Sequence, residues 1–322
     1  MKLPSSARRE LIIGVAAAFA VPAFAQSDKV IRFILPNATG SGVDAIVRAA
    51  QAALSKALGH PIVIDNQPGA GGIVGLQALA RAPADGYSLG VVSNNVVIFP
   101  SVYKSLPFDM PGDFTPIAVV GYTPVVLVVN AKVPAANSKE LIALLKARGG
   151  EMNFASGGNG TILHLATEMF LDEAGVKARH IPYKGVGPML TDLIGGQVDF
   201  ATAALPSVQP HLKSGALRAI GVATAQRVAA APEIPTFVEQ GLPSYTIDAW
   251  FGVIAPKGLP AAELQRVHAA LETAFADPAV VEAMAKQGNV ISIGPADKAM
   301  PFFRSEMARY AKLVKKAGVE LQ

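Results

Sequence analysis

The chain has 322 residues, is 51% hydrophobic and only 16% charged, and contains no cysteine. That size and hydrophobicity provide for two domains with substantial cores and exclude a disordered chain. The absence of cysteine excludes disulfides, thiol catalysis, cysteine zinc sites and a lipid-modified N-terminal cysteine, and it suits an oxidising compartment.

The N-terminus carries Lys2, Arg8 and Arg9, then the apolar run Leu11 to Ala20, a break at Pro22, and Ala23-Phe24-Ala25. A charged region, a short apolar region and an A-x-A site read as a secretory signal cleaved before Gln26, with 1–25 removed. Arg8-Arg9 is also compatible with twin-arginine export. With Lys2, Arg8, Arg9 and Glu10 gone, the formal charge falls from +4 to +2. No basic patch interleaved with aromatics appears, so no nucleic acid is expected as a partner. No later apolar run reaches membrane-spanning length.

From Ile31 the chain alternates strands and helices. A strand at Ile31–Leu35 is stopped by Pro36 and followed by Asn37-Ala38-Thr39-Gly40-Ser41-Gly42, and apolar spacing predicts a helix from Gly42 to Leu58. Such a loop aims backbone N–H groups, at the positive end of a helix dipole, at one point. It is either an anion site or an ordinary connection capped by Ser41. A strand at Pro61–Ile64 leads to Asn66-Gln67-Pro68-Gly69-Ala70-Gly71-Gly72 and a helix to Arg81. The glycines at 69, 71, 72 and 75 miss the dinucleotide spacing G-x-G-x-x-G, so no nucleotide cofactor is expected. A third strand, Tyr87–Val92, ends at Ser93 and Asn94, where an open α/β sheet presents its ligand crevice.

Ile117 to Val129 is long for one strand and is broken near Pro124, which suits a segment crossing between domains. The β-loop-α pattern then restarts. A helix is expected at Lys139–Ala147 and a strand at Met152–Ala155. After Ser156-Gly157-Gly158-Asn159-Gly160-Thr161, a helix carrying His164 runs through Leu171. Next come a strand at Ala178–Pro182, the loop at Tyr183 and Lys184, and a helix begun by Pro188. Strands at Gln197–Ala204 and Leu217–Ala223 precede a second crossing, Ser244–Pro256, which contains Trp250. Helices at Ala261–Phe275, Pro278–Gln287 and Pro301–Ala317 close the chain. Repeated β-loop-α units imply sheets covered by helices. One lobe is expected from 26–124 plus 250–322 and the other from 125–249.

Five motifs occur in order: Leu35-Pro36-x-x-x-Gly40-x-x-x-Asp44, Asp65 to Gly72, Ala84-Asp85-Gly86-Tyr87, Ser156 to Gly160 with His164-Leu165, and Tyr183-Lys184-Gly185-x-x-Pro188-x-x-x-Asp192-Leu193 to Asp199. Together they resemble the substrate-binding proteins of tripartite tricarboxylate transporters, the Bordetella-uptake type, from about residue 28 to 320. The resemblance implies a two-lobed periplasmic binding protein (type II, Venus flytrap). Each lobe is expected to be a mixed, mostly parallel sheet flanked by helices, with two crossing segments and the ligand in the cleft. It implies a monomer that binds a small carboxylate or aromatic acid and serves membrane transporter subunits. It places binding at Gly40, Ser156, Asn159, Gly160 and Thr161, with Asp44 orienting the first loop. Asn37 stands where the family has a bulky residue, and Ser41 where it has a second glycine, so both add polarity to the cleft.

Asn37, Thr39, Ser41, Gly42, Ser93, Asn94, His164 and Tyr183 complete the expected ligand-binding set. Lys184 is read as an exposed turn lysine and Trp250 as hinge packing. His60, His164, His180, His211 and His268 show no metal-ligand spacing, so no metal is expected. No Ser-x-x-Lys, G-x-S-x-G or paired nucleophile and base supports an enzyme. A ligand-sensing subunit of a signalling system, using the same pocket, is the alternative to transport.

Overall fold

The computed structural model describes residues 29–247, 249–319 and 321. The expected export segment, 1–25, lies outside them. The chain runs β1 (Ile31–Leu35), α1 (Gly42–Leu58), β2 (Ile62–Asn66), α2 (Ile73–Ala80), β3 (Ser88–Ser93), α3 (Asn95–Ile98) and β4 (Phe114–Thr123). It continues β5 (Val125–Asn130), α4 (Ser138–Ala147), β6 (Asn153–Ser156), α5 (Ile162–Ala174), β7 (Arg179–Pro182), α6 (Val186–Gly195), β8 (Phe200–Ala204), α7 (Leu205–Lys213) and β9 (Leu217–Val222). The last part is β10 (Ala249–Pro256), α8 (Ala261–Phe275), α9 (Pro278–Lys286), β11 (Val290–Ile291) and α10 (Ala296–Lys316).

The strands form two sheets, ordered β11-β4-β10-β3-β1-β2 and β7-β6-β8-β5-β9, and the molecule is a two-lobed α/β fold. Parallel pairing is confined to β2-β1-β3 and β7-β6-β8. Every other pairing, including those of β4, β5 and β10, is antiparallel. The sheets are therefore mixed, but parallel pairs are not the majority. The long apolar run resolves into β4 and β5, separated by Pro124 alone and belonging to different sheets.

Burial follows the sequence pattern. In α1, Val43, Ile46, Val47, Ala50, Leu54 and Leu58 form one buried stripe, and Gly59 ends the helix in the left-handed region at φ 71°. Every residue of β5 is buried, as a strand paired on both sides and covered on both faces requires. Two helix starts differ from the sequence expectation. α6 begins at Val186, two residues before Pro188, and α10 begins at Ala296, five before Pro301. Proline marks a helix start when read alone, but here a turn has already formed ahead of it. Pro206 and Pro210 hid α7 in the same way.

α10 touches both lobes. Phe302 and Phe303 pack on Trp250, whose indole N–H donates to Glu306 Oε2 at 2.9 Å. Near the other end, Leu313, Lys316 and Ala317 lie beside Met169, Asp172 and Tyr245 of the second lobe.

Candidate functional site

Both lobes present the same local device. After β1, Gly40 takes φ 81° and its N–H donates to Asp44 Oδ2 at 2.9 Å, while Ser41 Oγ accepts the Asp44 N–H at 3.2 Å. Ser41 is the extended N-cap of α1, so cap and third helical residue satisfy each other's neighbourhood reciprocally. Asp44 is 2% exposed and also accepts from Arg48 Nε and Asn66 Nδ2, each at 3.0 Å. Burial pushes its carboxyl up, but the bonds from Arg48, Gly40 and Asn66 outweigh that and hold it below the usual carboxylate value.

After β6, Gly160 takes φ 65° and its N–H donates to His164 Nδ1 at 3.2 Å. Thr161, the extended N-cap of α5, accepts the His164 N–H at 3.3 Å. An imidazole thus replaces the carboxylate. His164 stacks on His180, with centroids 3.8 Å apart, and His180 stacks on Phe154 at 4.7 Å. His180 Nε2 lies 2.7 Å from Ser156 Oγ. Burial, with His164 beside it, pushes the His180 imidazole down to about 3.

Between the two devices lies a cavity of about 70 Å³. α1, α5, α6 and α7 all begin at its wall, at Gly42 and Val43, Ile162 and Leu163, Val186, and Ser207 in the first turn of α7. Four positive helix ends therefore converge, and no described lining residue carries a charged side chain. The N–H groups of Gly42, Val43 and Leu163 make no hydrogen bond among the described residues. Asn37 Oδ1, Thr123 Oγ1 and Ser207 Oγ, all on lining residues, are buried without a partner. Such a set suits an anion held by neutral donors.

Of the residues expected from sequence, Asn37, Ser41, Gly42, Ser93, Asn94 and Thr161 line the cavity. Asn94 has its amide engaged, accepting from Trp250 N–H at 2.8 Å and donating to Tyr310 Oη at 2.6 Å. Thr39 and Gly40 sit exposed on the rim. Asp44, Ser156 and His164 are buried behind the loops and are not part of the lining. Asn159 O accepts from Tyr103 Oη at 3.0 Å, and Gly160 packs on Val102, both also outside the lining. Tyr183 Oη donates to Asp192 Oδ2 at 2.7 Å, and burial together with that carboxylate raises its phenol to about 12. Lys184 is exposed, and Trp250 packs at the crossing while also touching the cavity.

Sequence reasoning missed Asn95, Thr123, Ser207 and the starts of α6 and α7. The glycine-rich loop was weighed as a nucleotide motif and counted towards the family resemblance but given no place in the binding set, whereas Pro68, Gly69, Gly71 and Gly72 line this cavity. The usable signal was Gly42. A Cβ there would lie 2.7 Å from Ala204 Cβ of the opposite lobe, so only glycine permits that approach. The cleft is closed, with contacts from β1–α1 to α6–α7 on one side and from residues 95–103 to 159–162 on the other. Among the described residues, no group of His, Asp and Glu could hold a metal, and no helix is long and apolar enough to cross a membrane.

Two lobes closing on a neutral, donor-lined cavity have the form of a solute-binding receptor. Residues 46–319 match the tripartite tricarboxylate transporter family receptor, and the chain belongs to that family. It is 36% identical to protein BugT of Bordetella pertussis, covering 91% of this chain and 90% of BugT. It resembles the periplasmic binding protein BugD, at 31% identity, TM-score 0.87 and coverage of 91% and 99%. It also resembles Rpa4515 of R. palustris with adipate, at 30% identity, TM-score 0.87 and coverage of 91% and 98%. The family is one of receptors, not enzymes, whose members bind small carboxylates and work with membrane transporters.

Proposed function

We propose that this chain, exported and cleaved before Gln26, captures a small carboxylate as a monomer in the periplasm and delivers it to a tripartite tricarboxylate-type membrane transporter. The observation that carries this reading is the convergence of four helix N-termini on a cavity with no charged lining side chain among the described residues. A carboxylate there meets unpartnered N–H groups of Gly42 and Val43 from one lobe and Leu163 from the other, so the closed form is the one that satisfies it. Asn37, Ser41, Ser93 and Thr161 supply polar groups at the wall. Asp44, Ser156, Asn159, Gly160 and His164 hold the loops in shape. The division into lobes at 26–124 with 250–322, and 125–249, agrees with which strands enter which sheet.

A thermal-shift screen over mono-, di- and tricarboxylates and aromatic acids, each paired with its methyl ester, tests the reading. The free acids raise Tm and their esters do not. Esters that stabilise as well as acids, or a cation that outperforms both, would overturn it.

A further inference from the structure

We propose that Asn95 is a latch: its carboxamide caps α5 from the opposite lobe and sets how readily the cleft closes, independently of any ligand. Asn95 opens α3, directly after β3 of the first sheet, and is 8% exposed. Its Oδ1 accepts the Ile162 N–H at 2.8 Å, and its Nδ2 faces Gly71 O at 3.4 Å. Ile162 is the first residue of α5, in the other lobe, and its N–H is one that a helix start leaves without an internal partner. The chain therefore brings its own neutral acceptor to a position where a carboxylate oxygen from solution would otherwise bind.

Two neighbours of Asn95 act on the same loop: Val102 packs against Gly160, and Tyr103 donates to Asn159 O, while Phe99 backs Gly71 of its own lobe. The segment 95–103 is thus an arm of the first lobe that grips residues 159–162 of the second. Within it, the Asn95 bond is the one that ends on a helix N-terminus at the cavity wall, so it holds that helix start to the first lobe whether or not the cavity is filled. With Ile162 capped from within, a ligand on α5 is left the N–H of Leu163. The positions Gly42 and Val43 on α1 then carry more of the anion.

Two substitutions separate this role from simple packing. Asn95→Ala removes the acceptor and leaves Ile162 N–H bare when the lobes close. Asn95→Asp keeps an acceptor oxygen, and its charge favours the helix end while repelling a carboxylate in the cavity. Because the chain has no cysteine, Arg81→Cys and Arg179→Cys provide the only two thiols for a dye pair on exposed positions of the two lobes. Interlobe energy transfer is read without ligand, then with adipate and with acetate as a minimal carboxylate. The expected result is that Asn95→Ala shifts the ligand-free population toward open by about tenfold, while Asn95→Asp stays closed and loses carboxylate affinity by about a hundredfold. Unchanged ligand-free populations in Asn95→Ala, or opening in both variants, would overturn the latch. Failure of adipate and acetate to bind the unsubstituted protein would count against the proposed function alone, since the ligand-free measurement still decides the latch.

Discussion

The starts of α1 and α5 are geometric twins with different chemistry. Each has a left-handed glycine, an extended hydroxyl cap, and a third helical residue that reaches back to the glycine N–H. In α1 that residue is an ionised Asp44 tied to Arg48, and the leading N–H groups are unpartnered. In α5 it is His164, stacked on a second imidazole, and the leading N–H is capped by the opposite lobe. Equal backbone geometry therefore does not mean equal chemistry: one start presents bare N–H groups to the cavity, and the other has its leading N–H taken up by Asn95.

The sharpest way to break this comparison is to place the same side chain on both glycines. A Cβ at Gly160 would lie 2.6 Å from Val102 Cγ1 of the facing lobe, whereas nothing lies within 4 Å of a Cβ at Gly40. Gly160→Val is expected to fold, stay open and lose carboxylate affinity by roughly a hundredfold or more, about 2.7 kcal/mol. Adding Val102→Ala should recover part of it. Gly40→Val should bear only its left-handed strain, about 1–2 kcal/mol of stability, with binding largely kept. Calorimetry and Tm on the three variants check this, and equal losses of binding in both single variants would refute the distinction.

A second difference is pH. His180 is neutral in the folded protein down to about pH 3 but binds a proton near 6.5 when unfolded. Between those values the unfolded state holds the extra proton, so stability falls as pH drops from about 6.5 towards 3. Asp44 acts later: its support is complete above the unfolded value near 3.9 and is lost as pH falls through its lower folded value. Tm should therefore decline from pH 6.5 downward, and His180→Gln should flatten that slope above pH 4 while Asp44→Asn does not. A slope unchanged in His180→Gln would show that the histidine stack does not set acid stability.

The smallest effect tests the likeness itself. Ser41→Ala and Thr161→Ala each remove one cap, at about 1 kcal/mol in chemical denaturation. Losses that match within about 0.5 kcal/mol would support equivalent backbone devices; a cap worth nothing in one helix would break the pairing.

The likeness was legible because strand, small polar loop and helical apolar spacing are local properties, and α1 begins where its periodicity starts. The cavity was only partly legible. Asn37, Ser41, Gly42, Ser93 and Thr161 sit beside the loops that announced them. Ser207 and Thr123 reach it only because β8–α7 and the end of β4 are brought there by the second sheet and the crossing, and Pro206 and Pro210 disguised the helix that carries Ser207. Asn95 carries no mark of its own in the sequence, and its partner Ile162 lies 67 positions away. No local pattern encodes a bond of that span.

The place of β10 has a consequence for timing. β5 to β9, residues 125–222, form a complete sheet from one uninterrupted stretch. The first sheet keeps β10 at its interior, between β4 and β3, so it remains divided until residues 249–256 exist, more than a hundred positions after β4. On a growing chain the second lobe can condense first, while β1 to β4 wait, with apolar faces uncovered, for a strand made late. The core of the first lobe is thus the last part of the molecule that can close, although its first strand is the first one made.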